Sequence, residues 1–450
     1  MRGEVPPPLF VPGAAARLVV GAPWDALEAQ LRERGPTIAL TIAGAPTIVS
    51  ADPEVLRHVL LVRADNFNKD MRTMTAFRGL LGDGLLTSDG ALWRRERATL
   101  APAFRPDALI NVAEVSWRAA GRASDALDEH ARRGEAVDVG ALFRRFALQV
   151  IAEAALSMPA ERCDEALARV FVPLVAEANR RVWLPQRAEL PIPARFAYER
   201  RLGELEGLLR ANIDARREAR AREPEAPARD MLDLLLAAAD PWTDAAARLV
   251  SDELKTLLFA GHETTGLTLT WTLHALTSNA GCLQRLREAV DGDFDAEVMP
   301  GLAALRRLDY AGACLREALR IFNVVPVVHR TAIADDRFGA LAVPAGCRVI
   351  LHLQAIHRDP RLWPEPDVYR PERFLSASAT DDTWRWLPFL HGPRGCVGQH
   401  FALIEAKIML ALLVRRFEFS PEPGNSDERH RTIVPVGPAA PMLMRVRRRV

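Results

Sequence analysis

At 450 residues, with a net charge of +1, 49% hydrophobic and 26% charged residues, the chain has ordinary globular composition and material for a large core. That balance excludes a nucleic-acid or acidic-surface partner selected by bulk charge. The five cysteines (Cys163, Cys282, Cys314, Cys347, Cys396) are odd in number and far apart, which supports neither a disulfide framework nor a zinc knuckle.

The opening MRGEVPPPLFVPGAAARLVVGAPWDAL holds no apolar run near the ~20 residues a membrane span needs, and no signal-peptide layout. The expectation is a soluble, cytoplasmic protein without a membrane anchor. From Gly35, GPTIALTIAGAPTIVSADPEVLRHVLL alternates β-branched and small residues, then turns helical at Asp52-Pro53: a short hairpin followed by a helix. Between about Ala91 and Asn279 helical periodicity dominates, as in YERRLGELEGLLRANIDARREAR. WLPQRAELPIPARF and AREPEAPARD break it as inter-helix loops. Strand signals return in VVHRTAIADDRFGALAVPAGCRVILHL. HRDPRLWPEPDVYRPERF shows almost no regular pattern, and so long a loop in a compact chain is functional or heavily pinned. QHFALIEAKIMLALLVRRF is again an amphipathic helix, and the closing RVRRRV reads as a solvated basic chain end. The predicted architecture is mainly α with small β-sheets (α+β), in a single domain over 1–450. Its β-rich parts lie at about 36–65 and 325–375, its helical parts at about 91–325 and 397–418.

Four stretches concentrate residues able to do chemistry. In GALWRRERATL, Trp93 and Arg97 stand i, i+4 on one helix side, where a cation–π or packing pair is the plain reading. FAGHETTGLTLTW begins like a zinc-protease HExxH, but Gly266 occupies the place of the second histidine, so that chemistry is excluded. A helix from Asp252 to about Ser278 would set Ala260, Glu263, Thr264 and Leu267 on one face. The Thr264 hydroxyl can bond back to the Ala260 carbonyl and, with Gly261 beside it, bend or open the helix. In CLREALR, Glu317 and Arg320 are spaced i, i+3; exposed, such a pair adds a few tenths of a kcal/mol. Its apolar flanks Cys314, Leu315, Leu319 and Ile321 argue instead for burial, where breaking the pair costs about 3–5 kcal/mol.

The fourth stretch is FLHGPRGCVGQH. A lone cysteine is by default a buried structural thiol. As a nucleophile with His391 or His400 as base, Cys396 would leave the glycines and Arg394 without a task, and no orienting third group is evident. As a thiolate ligand to haem iron, every neighbour has one. Gly392, Gly395 and Gly398 let the backbone approach a flat macrocycle. Amides around the sulfur stabilise its charge, Arg394 is placed to pair with a propionate, and a helix N-terminus follows.

Phe389-x-x-Gly392-x-Arg394-x-Cys396-x-Gly398 matches all five fixed positions of the haem-binding signature of the cytochrome P450 family, and the other three motifs stand in that family's order. From roughly Asp52 to its end the chain resembles a cytochrome P450 of the soluble bacterial type. The resemblance implies heme b held by the Cys396 thiolate, with Trp93, Arg97, Arg330, Phe389, Arg394 and Gly398 around the cofactor. Arg373 of PERF would join Glu317 and Arg320 to pin the long loop. Glu263 and Thr264 would be the catalytic acid–threonine pair of O2 activation. Phe259, Ala260, Val324, Val325, Val328 and Val434 would line an apolar pocket, which points to a hydrophobic small molecule such as a fatty acid, terpenoid or polyketide. No reductase domain follows, so electrons from NAD(P)H would arrive through a ferredoxin or flavodoxin and its reductase, to a monomer. Asn323 departs from the family, where many relatives carry proline, and the shape of the neighbouring loop is the point this leaves open. A peroxide-using peroxygenase and a non-catalytic haem sensor or carrier are the rival readings.

Overall fold

The alternation from Thr37 to Ser50 folds as expected: strands Thr37–Ile42 and Ala45–Ser50 pair antiparallel, Thr37 opposite Ser50 and Ile42 opposite Ala45. Asp52 then caps a helix, its Oδ1 accepting the Glu54 amide at 2.9 Å, with Pro53 at the first helical position where no donor is needed. These details come from a computed structural model that describes residues 23–42, 44–106, 108–239, 241–375, 383–423 and 435–449. Two compact units make up the chain. One comprises Met1–Thr73, Arg316–Cys396 and Glu428–Ala439; the other Met74–Leu315, Val397–Asp427 and Ala440–Val450.

In the first unit the hairpin extends into a five-stranded sheet. The order is Thr37–Ile42, Ala45–Ser50, Arg348–His352, Val327–Ala332, Phe67–Lys69, with a parallel pairing only between the second and third. Ile48, Val49, Val349 and Leu351 are buried in its central strands and pack with Leu56, Phe67 and Leu387 as one core cluster. The two-stranded hairpin Asp336–Phe338 and Leu341–Val343 turns at Gly339, whose φ of +59° suits glycine.

The second unit is built on helices Ala108–Arg133, Val139–Leu156, Arg169–Trp183, Pro193–Arg222, Asp244–Ser278 and Gln399–Arg416. Asp244–Ser278 starts eight residues before the expected Asp252, because Thr243 caps it by accepting the Ala246 amide at 3.1 Å. Its 35 residues run about 52 Å. The helical assignment is continuous through Ala260–Thr264. Gly261 serves close packing: a Cβ there would stand 2.8 Å from Ile151 of the Val139–Leu156 helix, and one on Gly266 would stand 2.9 Å from the Arg144 Cα.

The basic tail is also not a loose end. Leu443–Arg448 is the middle strand of a three-stranded sheet, between Ala136–Asp138 and Phe417–Pro421. Met444 and Val446 face the core, and the alternating arginines meet carboxylates: Arg445 with Glu422, Arg447 with Glu418 and Arg448 with Asp128. The period-2 apolar pattern outweighs the charge run. Among the described residues, no helix is long and apolar enough to cross a membrane.

Candidate functional site

In the first unit the Phe389–Cys396 loop closes on itself. The Cys396 amide donates to the Phe389 carbonyl at 2.7 Å and the Gly395 amide to the Gly392 carbonyl at 3.0 Å. Gly392 has φ +78°, and a Cβ there would lie 2.0 Å from the Leu60 carbonyl oxygen, so the cradle admits only glycine. Aromatic rings brace the approach: Trp386 meets Phe389 at 6.0 Å and donates its indole N–H to the Arg316 carbonyl at 3.2 Å. Cys163, Cys314 and Cys347 are buried and Cys282 is partly so, whereas Cys396 is exposed. Arg394 is half-buried two residues before it.

The expected triad beneath this loop is assembled. Glu317 and Arg320, both fully buried on helix Asp309–Ile321, join through two hydrogen bonds of 2.7 and 2.8 Å. Arg373 adds a third contact to Glu317 at 3.2 Å, and the Arg370 amide a fourth at 2.9 Å. Arg320 also donates to the carbonyls of His357, Pro366 and Val368. Three of the five Arg320 donors thus hold a stretch with almost no secondary structure of its own, which is why its sequence lacked a pattern.

Asn323 proves to be a built junction. Its amide N–H, which proline lacks, donates to Gln354 Oε1 at 3.1 Å, and its Oδ1 accepts the Val325 amide at 3.1 Å. Its side-chain nitrogen lies 3.3 Å from His357 Nδ1, while His357 Nε2 accepts the Leu387 amide at 2.8 Å. Burial and the Arg320 charge push His357 down to about 3, so it is neutral. Val324 is buried after it, Val325 and Val328 are half-buried, and Arg330 lies buried on the Val327–Ala332 strand. Val434 lies outside the described residues.

In the second unit, Phe259, Ala260, Glu263 and Thr264 sit mid-way along Asp244–Ser278. Phe259 is buried against Phe77 at 5.3 Å, Ala260 is exposed, and Glu263 and Thr264 are half-exposed. The Thr264 hydroxyl donates to the Ala260 carbonyl at 2.6 Å, as expected. Thr265, its neighbour, points elsewhere: it is buried and donates to Glu405 Oε1 at 2.6 Å. Trp93 and Arg97 lie on helix Gly90–Leu100, and Gly398 is the residue preceding helix Gln399–Arg416.

Sequence reading missed the buried carboxyls. Burial lifts Glu405 well above the usual carboxylate range, because its charged form would be desolvated. The signal was present: Phe401, Glu405, Ile408 and Leu412 recur at helical spacing on one buried face, so a glutamate occupies an apolar position. Glu96 before Leu100 and Glu253 before Leu257 break their stripes in the same way.

Among the described residues no group of three or more His, Cys, Asp or Glu could hold a bare metal ion. One accessible thiol on a glycine-cradled loop is the donor set of a haem, and the residues present fit it. The pattern of the cytochrome P450 family matches residues 4–437. A cyclooctatin synthase of Streptomyces melanosporofaciens is 31% identical over 404 residues, covering 88% of this chain and 85% of the relative. A cytokinin hydroxylase of Arabidopsis thaliana is 30% identical over 380 residues, 83% and 74% of the two chains. A carotene epsilon-monooxygenase of Arabidopsis thaliana is 28% identical over 426 residues, 89% and 78%.

Proposed function

The chain belongs to the cytochrome P450 family and is a haem monooxygenase; from that premise we propose how its own residues divide the work. Cys396 supplies the thiolate, and Phe389 and Gly398 frame it. Trp93, Arg97, Arg330 and Arg394 are the residues that would hold the propionates. When bound, the haem would supply the oxidising power that activates O2, and the Cys396 thiolate would tune it. Glu263 takes protons from solvent and Thr264, half-exposed on the same turn, passes them on. Glu317, Arg320 and Arg373 keep the loop that carries the sulfur in register.

The substrate is a hydrophobic small molecule of the fatty acid, terpenoid or polyketide class. Phe259, Ala260, Val324, Val325 and Val328, with Val434, give it apolar walls that exclude water. Electrons pass from NAD(P)H through a reductase and a ferredoxin or flavodoxin to a cytoplasmic monomer. The observation that carries this reading is the exposure of Cys396 at the end of a loop closed by its own backbone. Ferrous protein with carbon monoxide should show the red-shifted Soret band of thiolate ligation, and Cys396→Ala should lose it. An unshifted, histidine-like band in the parent would overturn the proposal.

A further inference from the structure

Two buried carboxyls face one another in the second unit. Glu96 is on helix Gly90–Leu100, between Trp93 and Arg97; Glu253 is on Asp244–Ser278, with only 1% of its surface exposed. Neither Glu253 oxygen is fully satisfied, and the groups around it are the Glu96 carboxyl, the Leu85 amide and the Asp252 charge. Two carboxylates are acceptors only. They satisfy each other when one proton lies between them.

The segment joining helices Met71–Leu81 and Gly90–Leu100 is strung on this pair. The Asp83 amide donates to Asp252 at 3.0 Å, Leu85 meets Glu253, and the Ser88 hydroxyl donates to Glu96. Gly82 and Gly84 press against the same helix: a Cβ on Gly82 would lie 2.1 Å from the Asp252 carboxyl, and one on Gly84 2.7 Å from its carbonyl oxygen. The nearby cation offers no relief, since Lys255 is engaged by Asp252 at 2.8 Å and by Glu206, on Pro193–Arg222, at 3.7 Å.

We propose that Glu96 and Glu253 hold one proton in common and that this proton latches the Gly82–Asp89 segment to the two helices. With the proton gone, two like charges stand together in a buried site, and the tethers at Leu85 and Ser88 pull apart. Desolvation, and after it the charge of Glu96, push Glu253 up to about 8, so the latch opens just above neutrality. The consequence for function rests on the roles assigned above to Phe259, Trp93 and Arg97. Released, the segment frees the stretch between Phe77, which packs on Phe259, and the Trp93–Arg97 helix.

Two measurements on the resting, haem-loaded protein test this without turnover. Infrared titration of the parent should show one protonated carboxyl band that fades with a midpoint near 8 and is missing in Glu253→Gln and Glu96→Gln. Amide-exchange protection factors at Leu85, Thr87 and Ser88 should fall about tenfold from pH 7 to pH 9 in the parent, as opening tied to one deprotonation requires. They should stay flat in Glu253→Gln, whose amide is a permanent donor. A parent lacking the pH-8 band at pH 6, or a band with that midpoint surviving in both variants beside the separate one of Glu405, overturns the shared proton. Flat protection in the parent overturns the latch. Neither failure touches the monooxygenase reading, which the carbon monoxide spectrum decides.

Discussion

The side-chain nitrogen of Asn323 lies 3.3 Å from Nδ1 of His357, out of reach of solvent. Around it an asparagine ties down the loop ahead of Val324 through two hydrogen bonds, its own amide to Gln354 and the Val325 amide to its Oδ1, where a ring would have stiffened it. Asn323→Ala leaves the Val325 amide unmet, and should cost about 1–3 kcal/mol in urea unfolding. Asn323→Pro removes the Gln354 bond as well and should cost more. A proline variant as stable as the parent would show that the junction holds nothing.

The Glu317–Arg320 pair makes a sharper prediction. Lysine keeps the charge of Arg320 but cannot serve Glu317 and three carbonyls together. Arg320→Lys should therefore lose about 3–5 kcal/mol, the range for breaking a buried pair, and bind haem substoichiometrically. Unfolding curves with haem content measured alongside check both halves. Full haem content with parental stability would refute the pinning role.

Adjacent threonines should fail in different ways. Thr264→Ala should leave haem binding and reduction nearly intact, yet raise hydrogen peroxide release and lower product per reductant severalfold. Thr265→Val removes a buried bond to Glu405 and should cost about 1–3 kcal/mol of stability with coupling unchanged. Counting peroxide and product against reductant separates them; a reversed pattern would move the proton-relay role one residue along.

Arg94 and Arg95 are exposed on the helix of Trp93 and Arg97, without an acidic partner among the described residues. Reversing both charges should raise the apparent KM for an acidic ferredoxin-like partner steeply at low salt. At high salt, where screening already weakens the contact, the effect should shrink. Unchanged reduction kinetics at low salt would count against docking there.

Glu253 also sets a pH slope. Its folded value of about 8 exceeds the unfolded one, so the folded state binds the extra proton. The stability it contributes is complete below the ordinary glutamate range and drains away as pH rises to about 8. Stability of the parent minus that of Glu253→Gln should fall across this window by at most about 1.4 kcal/mol per pH unit. A difference that rises with pH would contradict the assignment.

The hairpin at Thr37–Ser50 and the helix through Thr264 were legible because local pattern and burial agree there. The loop from His357 to Phe374 was legible only as an absence of pattern, since its order comes from Arg320, distant in sequence. Glu96, Glu253 and Glu405 were passed over as ordinary helical glutamates: a carboxyl's neighbours across the fold, not its spacing, decide whether it keeps its proton. RVRRRV misled for the opposite reason. Its arginines outweighed the two apolar residues that place it in a sheet.

That last strand bears on how the protein can be handled. Because Leu443–Arg448 lies between two partners, with Val139 donating to the Met442 carbonyl at 3.1 Å, a chain cut before Leu443 would leave Ala136–Asp138 and Phe417–Pro421 as unpaired edges. A frameshift or protease cut there is a folding lesion and an invitation to aggregate. A tag or a fused electron donor should be placed beyond this strand, behind a flexible linker, and replace none of Leu443–Arg448.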